Sequence, residues 1–390
     1  MQPAPADSLK PILLFYVFIY MNNAVYGTFV PLYFQHIGYD PAEIGTLLSL
    51  GPLVAILAQP VWGTLSDRAR TKNAVLLTLL AGCVVSMILF PLSTAFGYVL
   101  IMICLFMFFQ TSIYAIVDAV TLEVIDRRRS GTFSHIRMGG TFGFAAMSVL
   151  FGFLAREHIG LLFAVNGAIL GICFLLTTRF PVVAGHQSHG SRMNLTALFR
   201  NRRLMTYLAL NVVVQITLGY YYAFFPLYFR ELGGDTALLG WSMVISSLSE
   251  VPFLLFFNRI VERVRVQVLL LGAGLAAALR WYLYTIIDEP WLALPVQALH
   301  GLIFIVLSVT MAVIINREVP NELKASGQTL NGLLSLGAAR IVGSFAGGAA
   351  SDAYGLRSVF AVSAAVCLAC VAVFAVVFRL QGDRKDEAVR

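Results

Sequence analysis

The 390-residue chain is 59% hydrophobic and only 12% charged, with a mean hydropathy of +0.81; a soluble domain carries about 25% charged residues. Apolar segments of about 20 residues recur along its whole length, each long enough to cross a hydrocarbon core of about 30 Å as a helix. The formal net charge of +7 gathers at segment ends, with no basic patch interleaved with aromatics on a soluble stretch, so the composition argues for a polytopic membrane protein and against nucleic-acid binding.

Residues 11–34 are too long for a signal h-region and lack a small-residue cleavage site, so they read as a first span and not as a leader. In chain order the apolar segments predict twelve spans, near 10–34, 42–64, 74–92, 98–122, 133–155 and 159–178, then 204–228, 238–258, 267–286, 292–316, 327–350 and 356–378. Residues 180–203 form the only long polar connection, with Gly185 to Arg192 and the basic Arg200, Arg202 and Arg203, and read as a linker.

The first and seventh spans end alike. Pro31-Leu32-Tyr33-Phe34, then Gly38, Asp40 and Gly45, returns as Pro226-Leu227-Tyr228-Phe229, then Gly233, Asp235 and Gly240, at a constant offset of 195 residues. Self-similarity at half the chain length points to an internal duplication. The expected architecture is an all-α membrane protein whose residues 1–179 and 204–390 form two six-helix bundles related by a pseudo-twofold axis.

Lysine and arginine set the orientation. Lys10, the loops after spans two, four, eight and ten, the linker and the tail hold 21 of them, against Arg156, Arg230 and Arg357 on the other side. Basic residues favour the cytoplasmic face, so both termini are expected there, in a cell (inner) membrane.

All five cysteines (Cys83, Cys104, Cys173, Cys367, Cys370) fall within apolar spans. The Cys367-x-x-Cys370 pair has no nearby base or cation to lower a thiol pKa, so these read as packing residues. There is no metal cluster, phosphate loop or nucleophile elbow, and His135 lacks ligand partners at helical spacing. An intramembrane enzyme would need a nucleophile and base at one depth, a receptor would normally carry a soluble domain, and an ATP-driven pump a phosphate-binding loop. The residues favour a secondary transporter that needs no cofactor.

Gly63-Thr64-Leu65-Ser66-Asp67-Arg68-Ala69-Arg70-Thr71-Lys72, after span two, resembles the loop pattern of the major facilitator superfamily, Gly-x-x-x-Asp-Arg/Lys-x-Gly-Arg/Lys-Arg/Lys, with Arg70 where glycine is usual. The resemblance gives Gly63, Asp67 and Arg68 a gating role, clamping two helices on the cytoplasmic side. Phe133 to Gly140 in span five, Asp118 in span four, the 20-residue separation of Arg280 and His300, and Gly347-Gly348 to Asp352 and Gly355 are similar to the lactose permease and phenylpropionate permease branch of proton symporters. Ile303 replaces a carboxylate of lactose permease, and Glu250, in span eight, looks more like the phenylpropionate pattern. The resemblance implies a proton-coupled symporter for an aromatic carboxylate, saccharide or nucleoside, expected to act as a monomer in the lipid bilayer. The alternative is a proton antiporter exporting drugs or metabolites.

Independently of family, a charge at the bilayer centre costs at least about 2.5–3.5 kcal/mol on insertion scales and persists when paired or facing a watery cavity. Asp118, Arg137, Glu250, Arg280 and Arg340 sit deep, joined by His300. Asp118–Arg137 and Glu250–Arg280 are the expected pairs, as structural ion pairs or as a working site. Glu250 or Asp118 is the proton carrier, with Arg280 and His300 as partners. Arg340 has no acid at matching depth and leaves one excess cation, suited to an anionic substrate group. Asn22 and Asn23 in span one, and Gln215, Tyr221 and Trp281 in spans seven and nine, are the further candidate lining residues, and Glu123 reads as solvated or gating. Gly139 and Gly143, and Gly343 and Gly347, form small-x-x-x-small stripes that allow close helix contact.

Overall fold

A computed structural model describes residues 9–128, 133–185, 198–320 and 323–388. Arg129 and the linker residues His186 to Arg192 lie outside the described residues. Eleven stretches among the described ones are long and apolar enough to span a membrane. One of them, His135–Thr177, has 43 residues and is two helices, broken where His158 leaves helical geometry (φ −136°, ψ 55°) before the short turn Ile159–Leu161. Twelve apolar crossings result, as the hydropathy predicts.

The helices are α1 (Lys10–His36), α2 (Pro41–Arg68), α3 (Lys72–Leu89), α4 (Phe96–Gln110), α5 (Ile113–Arg128), α6 (Phe133–His158) and α7 (Leu162–Thr177) in the first half. The second half has α8 (Arg202–Glu231), α9 (Thr236–Arg263), α10 (Val266–Ile286), α11 (Ala293–Val296), α12 (Leu299–Glu318), α13 (Lys324–Gly332), α14 (Ala339–Tyr354) and α15 (Leu356–Ala388). Exposed side chains such as Leu57, Ile88, Phe142, Leu255 and Leu368 suit acyl chains as solvent.

Two compact units emerge: Met1–Tyr39 with Leu47–Gly190 and Asp235–Val244, and Asp40–Thr46 with Ser191–Gly234 and Ile245–Arg390. The short segments Asp40–Thr46 and Asp235–Val244 begin 195 residues apart. Internally the units repeat one pairing scheme. In the first, α1 packs on α6 and α7, and α3 on α7 and α4; in the second, α8 packs on α14 and α15, and α10 on α15 and α12.

The duplicated motif repeats at the level of single bonds. The amides of Ile37, Gly38 and Tyr39 close α1 on the carbonyls of Tyr33, Gln35 and Phe34; those of Leu232, Gly233 and Gly234 close α8 on Tyr228, Arg230 and Phe229. Gly38 and Gly233 have φ of 97° and 83°, a left-handed geometry that only glycine adopts cheaply. Asp40 Oδ1 then accepts from the Glu43 amide and Asp235 Oδ1 from the Leu238 amide, both at 2.7 Å.

The glycine stripes work inside each unit. A Cβ on Gly143 would strike the Val17 carbonyl oxygen, and one on Gly343 the Ile216 carbonyl oxygen; the rings of Tyr20 and Tyr220 lie over Gly140 and Gly347. Span five thereby touches span one backbone to backbone, and span eleven touches span seven.

Three spans differ from simple rods. Span four breaks between α4 and α5, where the side chains of Trp62 and Gln59 donate to the exposed carbonyls of Phe108 and Thr111 at 2.9 and 3.2 Å. Carbonyls freed by a helix break in a membrane need such partners. Span ten breaks at Gln297 and Ala298, and span eleven passes through a π-helical turn, Leu333–Ala338. The linker's first residues, 180–185, are not free chain: Val183 is buried and its carbonyl accepts from the Lys72 amide at 2.8 Å.

Candidate functional site

In the second unit the deep charges form a chain running through a ring. Arg280, fully buried, donates to Nδ1 of His300 at 3.0 Å and to Gln297 Oε1. It also donates to the Tyr284 hydroxyl at 3.3 Å. Its guanidinium lies 4.1 Å above the Tyr221 ring and 5.3 Å from the Trp281 ring, at distances where the ring quadrupoles attract a cation. Among the described residues no carboxylate pairs with it directly. His300 Nε2 lies 3.4 Å from Glu250 Oε1 and 3.4 Å from the Tyr222 hydroxyl, and Phe304 stacks on the ring at 5.6 Å.

The expected direct Glu250–Arg280 pair is therefore replaced by Glu250–His300–Arg280, with the imidazole between the charges. The reason is positional. The break after α11 turns Gln297 toward Arg280, and His300 follows one turn later on the start of α12, filling the space between α10 and α9. Tyr221 donates to Gln297 at 2.8 Å and Trp281 donates to Thr217 at 3.0 Å, so both aromatic residues named from the sequence are fixed in the same cluster.

Arg340 stands on α14, just after the π-helical turn. Its guanidinium lies 4.6 Å over the Tyr222 ring, and its Nε is buried without a hydrogen-bond partner. Tyr222 thus touches both His300 and Arg340. Gln215 is buried with an unpartnered Oε1; one turn earlier on α8, Asn211 donates to Asn331 and Ser335 at 3.1 and 2.7 Å.

In the first unit Asp118 and Arg137 lie within electrostatic reach of each other but do not bond directly. Tyr16 donates to Asp118, and Arg137 lies within electrostatic reach of Tyr20. Asn22 and Asn23 part company: adjacent residues on a helix point about 100° apart, and Asn22 is fully buried with its amide unpartnered while Asn23 is exposed.

At the corner of this unit beside the loop after α2, Glu123 pairs with Lys72 at 3.4 Å and with Arg127 at 2.6 Å. The ion pairs of the loop after α2 thus run through its last residue, Lys72. Asp67 is half-buried, Arg68 is exposed, and Gly63 has open space where a Cβ would stand.

Gln297 and Tyr284, with Tyr16 and Tyr20, were not singled out from the sequence. Each carries a signal: Gln297 precedes His300 by three residues, and Tyr16 and Tyr20 repeat at helical spacing. Single aromatics in apolar helices are too common for that signal to stand out alone.

A model of the MFS_1 like family matches residues 10–362. The chain belongs to this family. It is a membrane transporter of the major facilitator superfamily, and the superfamily's fold is the one described above. Among similar MFS proteins is the uncharacterized transporter YwbF of Bacillus subtilis, 23% identical over 379 residues, covering 96% of this chain and 93% of the relative. The maltose permease of Geobacillus stearothermophilus is 24% identical over 294 residues, 74% of either chain. Multidrug resistance protein MdtG of Salmonella typhimurium is 25% identical over 362 residues, 87% of either chain. The crystal structure of the nucleoside transporter NupG superposes with a TM-score of 0.87 at 17% identity, covering 95% of this chain and 98% of that one.

Proposed function

We propose that this protein is a proton-coupled symporter that imports a small polar organic solute by alternating access, in a cell membrane with both termini cytoplasmic. The observation that carries the reading is the Glu250–His300–Arg280 chain. Arg280 is a fully buried cation whose direct partners are neutral, and Glu250 is the acid that the chain reaches. A cation held in a low-dielectric interior raises the consequence of charging its neighbour, so a proton on Glu250 changes the balance of the whole cluster. Asp118 and Arg137, with Arg340, Gln215, Tyr221 and Trp281, supply the binding groups. The excess of cations in the second unit suits a solute with an anionic or strongly polar group: an aromatic carboxylate first, then a saccharide or nucleoside. The likeness of Arg280, His300 and Glu250 to the lactose and phenylpropionate permease pattern supports the same direction.

The test uses purified protein in liposomes with benzoate, maltose and uridine as probes, under an inward proton gradient. Accumulation of one probe, abolished by a protonophore, is the expected result. Uptake of every probe that ignores the gradient would overturn proton coupling. The similarity to MdtG supports the second reading, proton-driven export; there, an outward-directed solute flux would grow with the inward proton gradient and no probe would accumulate.

A further inference from the structure

Asp118 and Arg137 sit on neighbouring helices, α5 and α6, with opposite charges at membrane depth, yet each meets a tyrosine of α1 and not the other. The single phenol proton of Tyr16 goes to Asp118 Oδ1. The Thr121 hydroxyl lies 3.4 Å from the same phenol oxygen, and its own proton goes to the Val117 carbonyl at 2.7 Å. Arg137 interacts through space with Tyr20 and with Asp118. Tyr16 and Tyr20 are one helical turn apart, so they stand on one stripe of α1.

Both rings are fixed. Tyr16 is fully buried, with Phe133 edge-on at 6.2 Å. Tyr20 lies over Gly140, where a Cβ would come within 2.6 Å of a ring carbon. Tyr114 meets Tyr20 edge-on at 5.6 Å and is itself tied to the Ile19 carbonyl at 3.3 Å. Asp118 is half-buried and Arg137 exposed, and opposite charges within reach of each other attract. A direct ion pair would satisfy each with the other, whereas a tyrosine beside each leaves most acceptor sites of the carboxylate and most donors of the guanidinium open.

We propose that Tyr16 and Tyr20 are positioning residues that keep Asp118 and Arg137 from collapsing into a direct ion pair, so that both groups stay open to a polar group of the substrate. The inference rests on Asp118 and Arg137 being binding groups, as proposed above. Gly140 belongs to the same device, because a larger residue there would displace Tyr20.

The decisive measurement is the structure of full-length protein carrying Tyr16→Phe and Tyr20→Phe together, in lipid nanodiscs without added solute. Asp118 and Arg137 should close to direct contact; finding them still apart, with the phenylalanine rings in place, would overturn the proposal. A functional arm uses whichever of benzoate, maltose and uridine the unaltered protein accumulates. Tyr16→Phe should raise KM about tenfold, the scale of one hydrogen bond to a charged group, while kcat stays within about twofold. On an Asp118→Asn background it should leave the melting temperature unchanged; a clear further fall there would mean general packing damage and would also overturn it. Normal uptake by Asp118→Asn and Arg137→Ala would instead remove the binding role on which the proposal rests. Lost uptake in those two with an unchanged KM in Tyr16→Phe would remove the tyrosine proposal alone.

Discussion

Arg280 donates from Nη1 to Nδ1 of His300 across 3.0 Å, and this bond fixes the state of the ring. A guanidinium has five donors and no acceptor, so Nδ1 must offer a lone pair and the neutral imidazole carries its proton on Nε2. That nitrogen faces Glu250 and Tyr222, each at 3.4 Å. Protonating Nδ1 would set one N–H against another and release Arg280. In this arrangement His300 is the connector, and Glu250 is the group with room for a proton.

The first prediction follows from that tautomer. Nitrogen-15 NMR of histidine-labelled protein should show one neutral ring protonated on Nε2, and this signal should vanish in His300→Gln. Glutamine can accept from Arg280 with its oxygen and donate toward Glu250 with its nitrogen. His300→Leu can do neither and leaves a buried donor unsatisfied, at a cost of about 1–3 kcal/mol. The melting temperature should therefore fall clearly for leucine and much less for glutamine. Equal falls would mean that the ring is held by its stacking on Phe304 and not by its bonds.

The second concerns Glu250→Gln. The amide keeps an acceptor for His300 and removes the titratable charge, so folding should be preserved. Proton-driven accumulation should stop while exchange of labelled for unlabelled solute continues. Full accumulation by this variant would move the proton site to Asp118.

The third separates two kinds of glycine. Gly343→Ala forces a Cβ against the Ile216 carbonyl, backbone on backbone with no side chain to swing aside; overpacking of this kind costs about 1–3 kcal/mol. Gly63→Ala meets nothing within 4 Å and replaces a helical glycine, a change worth about 1 kcal/mol in favour of alanine. Thermal unfolding in detergent should rank Gly63→Ala at or above the parent and Gly343→Ala well below it. If Gly63→Ala is as stable as expected but loses uptake, its glycine serves the loop after α2 and not the packing.

Much of this was legible in the residues. The duplication is written in Pro31 and Pro226 and survives as matching amide bonds, because a left-handed glycine is required wherever a helix ends in that way. The deep charges stood out because each is costly in an apolar span. What the sequence could not carry was the third dimension at broken helices. Gln297 reaches Arg280 only because span ten breaks there, and nothing in Pro295-Val296-Gln297-Ala298 fixes the direction of the turn. Pairing by charge joined Glu250 directly to Arg280 and left His300 as a partner beside them, since helical spacing does not say which of three helices stands in the middle. The separation of Asn22 from Asn23 was open to a helical-wheel argument, but only once the buried face of α1 was known.

The last prediction concerns the start of the linker. Asn73, at the beginning of α3, treats residues 181–183 as a strand would: its Nδ2 donates to the Pro181 carbonyl at 3.0 Å and its Oδ1 accepts from the Val183 amide at 3.0 Å. The Lys72 amide donates to the Val183 carbonyl, and Arg127 Nη1 to the Val182 carbonyl at 2.9 Å. Gly185 then passes so close to the carbonyls of Ser66 and Asp67 that a Cβ would stand 2.8 and 2.7 Å from them. Because Lys72 and Arg127 also hold Glu123, the end of α2, the start of α3, α5 and the chain after α7 form one braced corner. Asn73→Ala removes two hydrogen bonds, each worth about 0.5–1.5 kcal/mol net, while Val183 stays buried. Local opening of that size should speed hydrogen exchange at the Val183 amide by about tenfold or more, with helices α8 to α15 unchanged. Asn73→Asp keeps the acceptor for Val183 and loses the donor to Pro181, so its exchange should fall between the two. Exchange in Asn73→Ala equal to that of the parent would show that burial of Val183 and the Lys72 amide hold the strap without the asparagine.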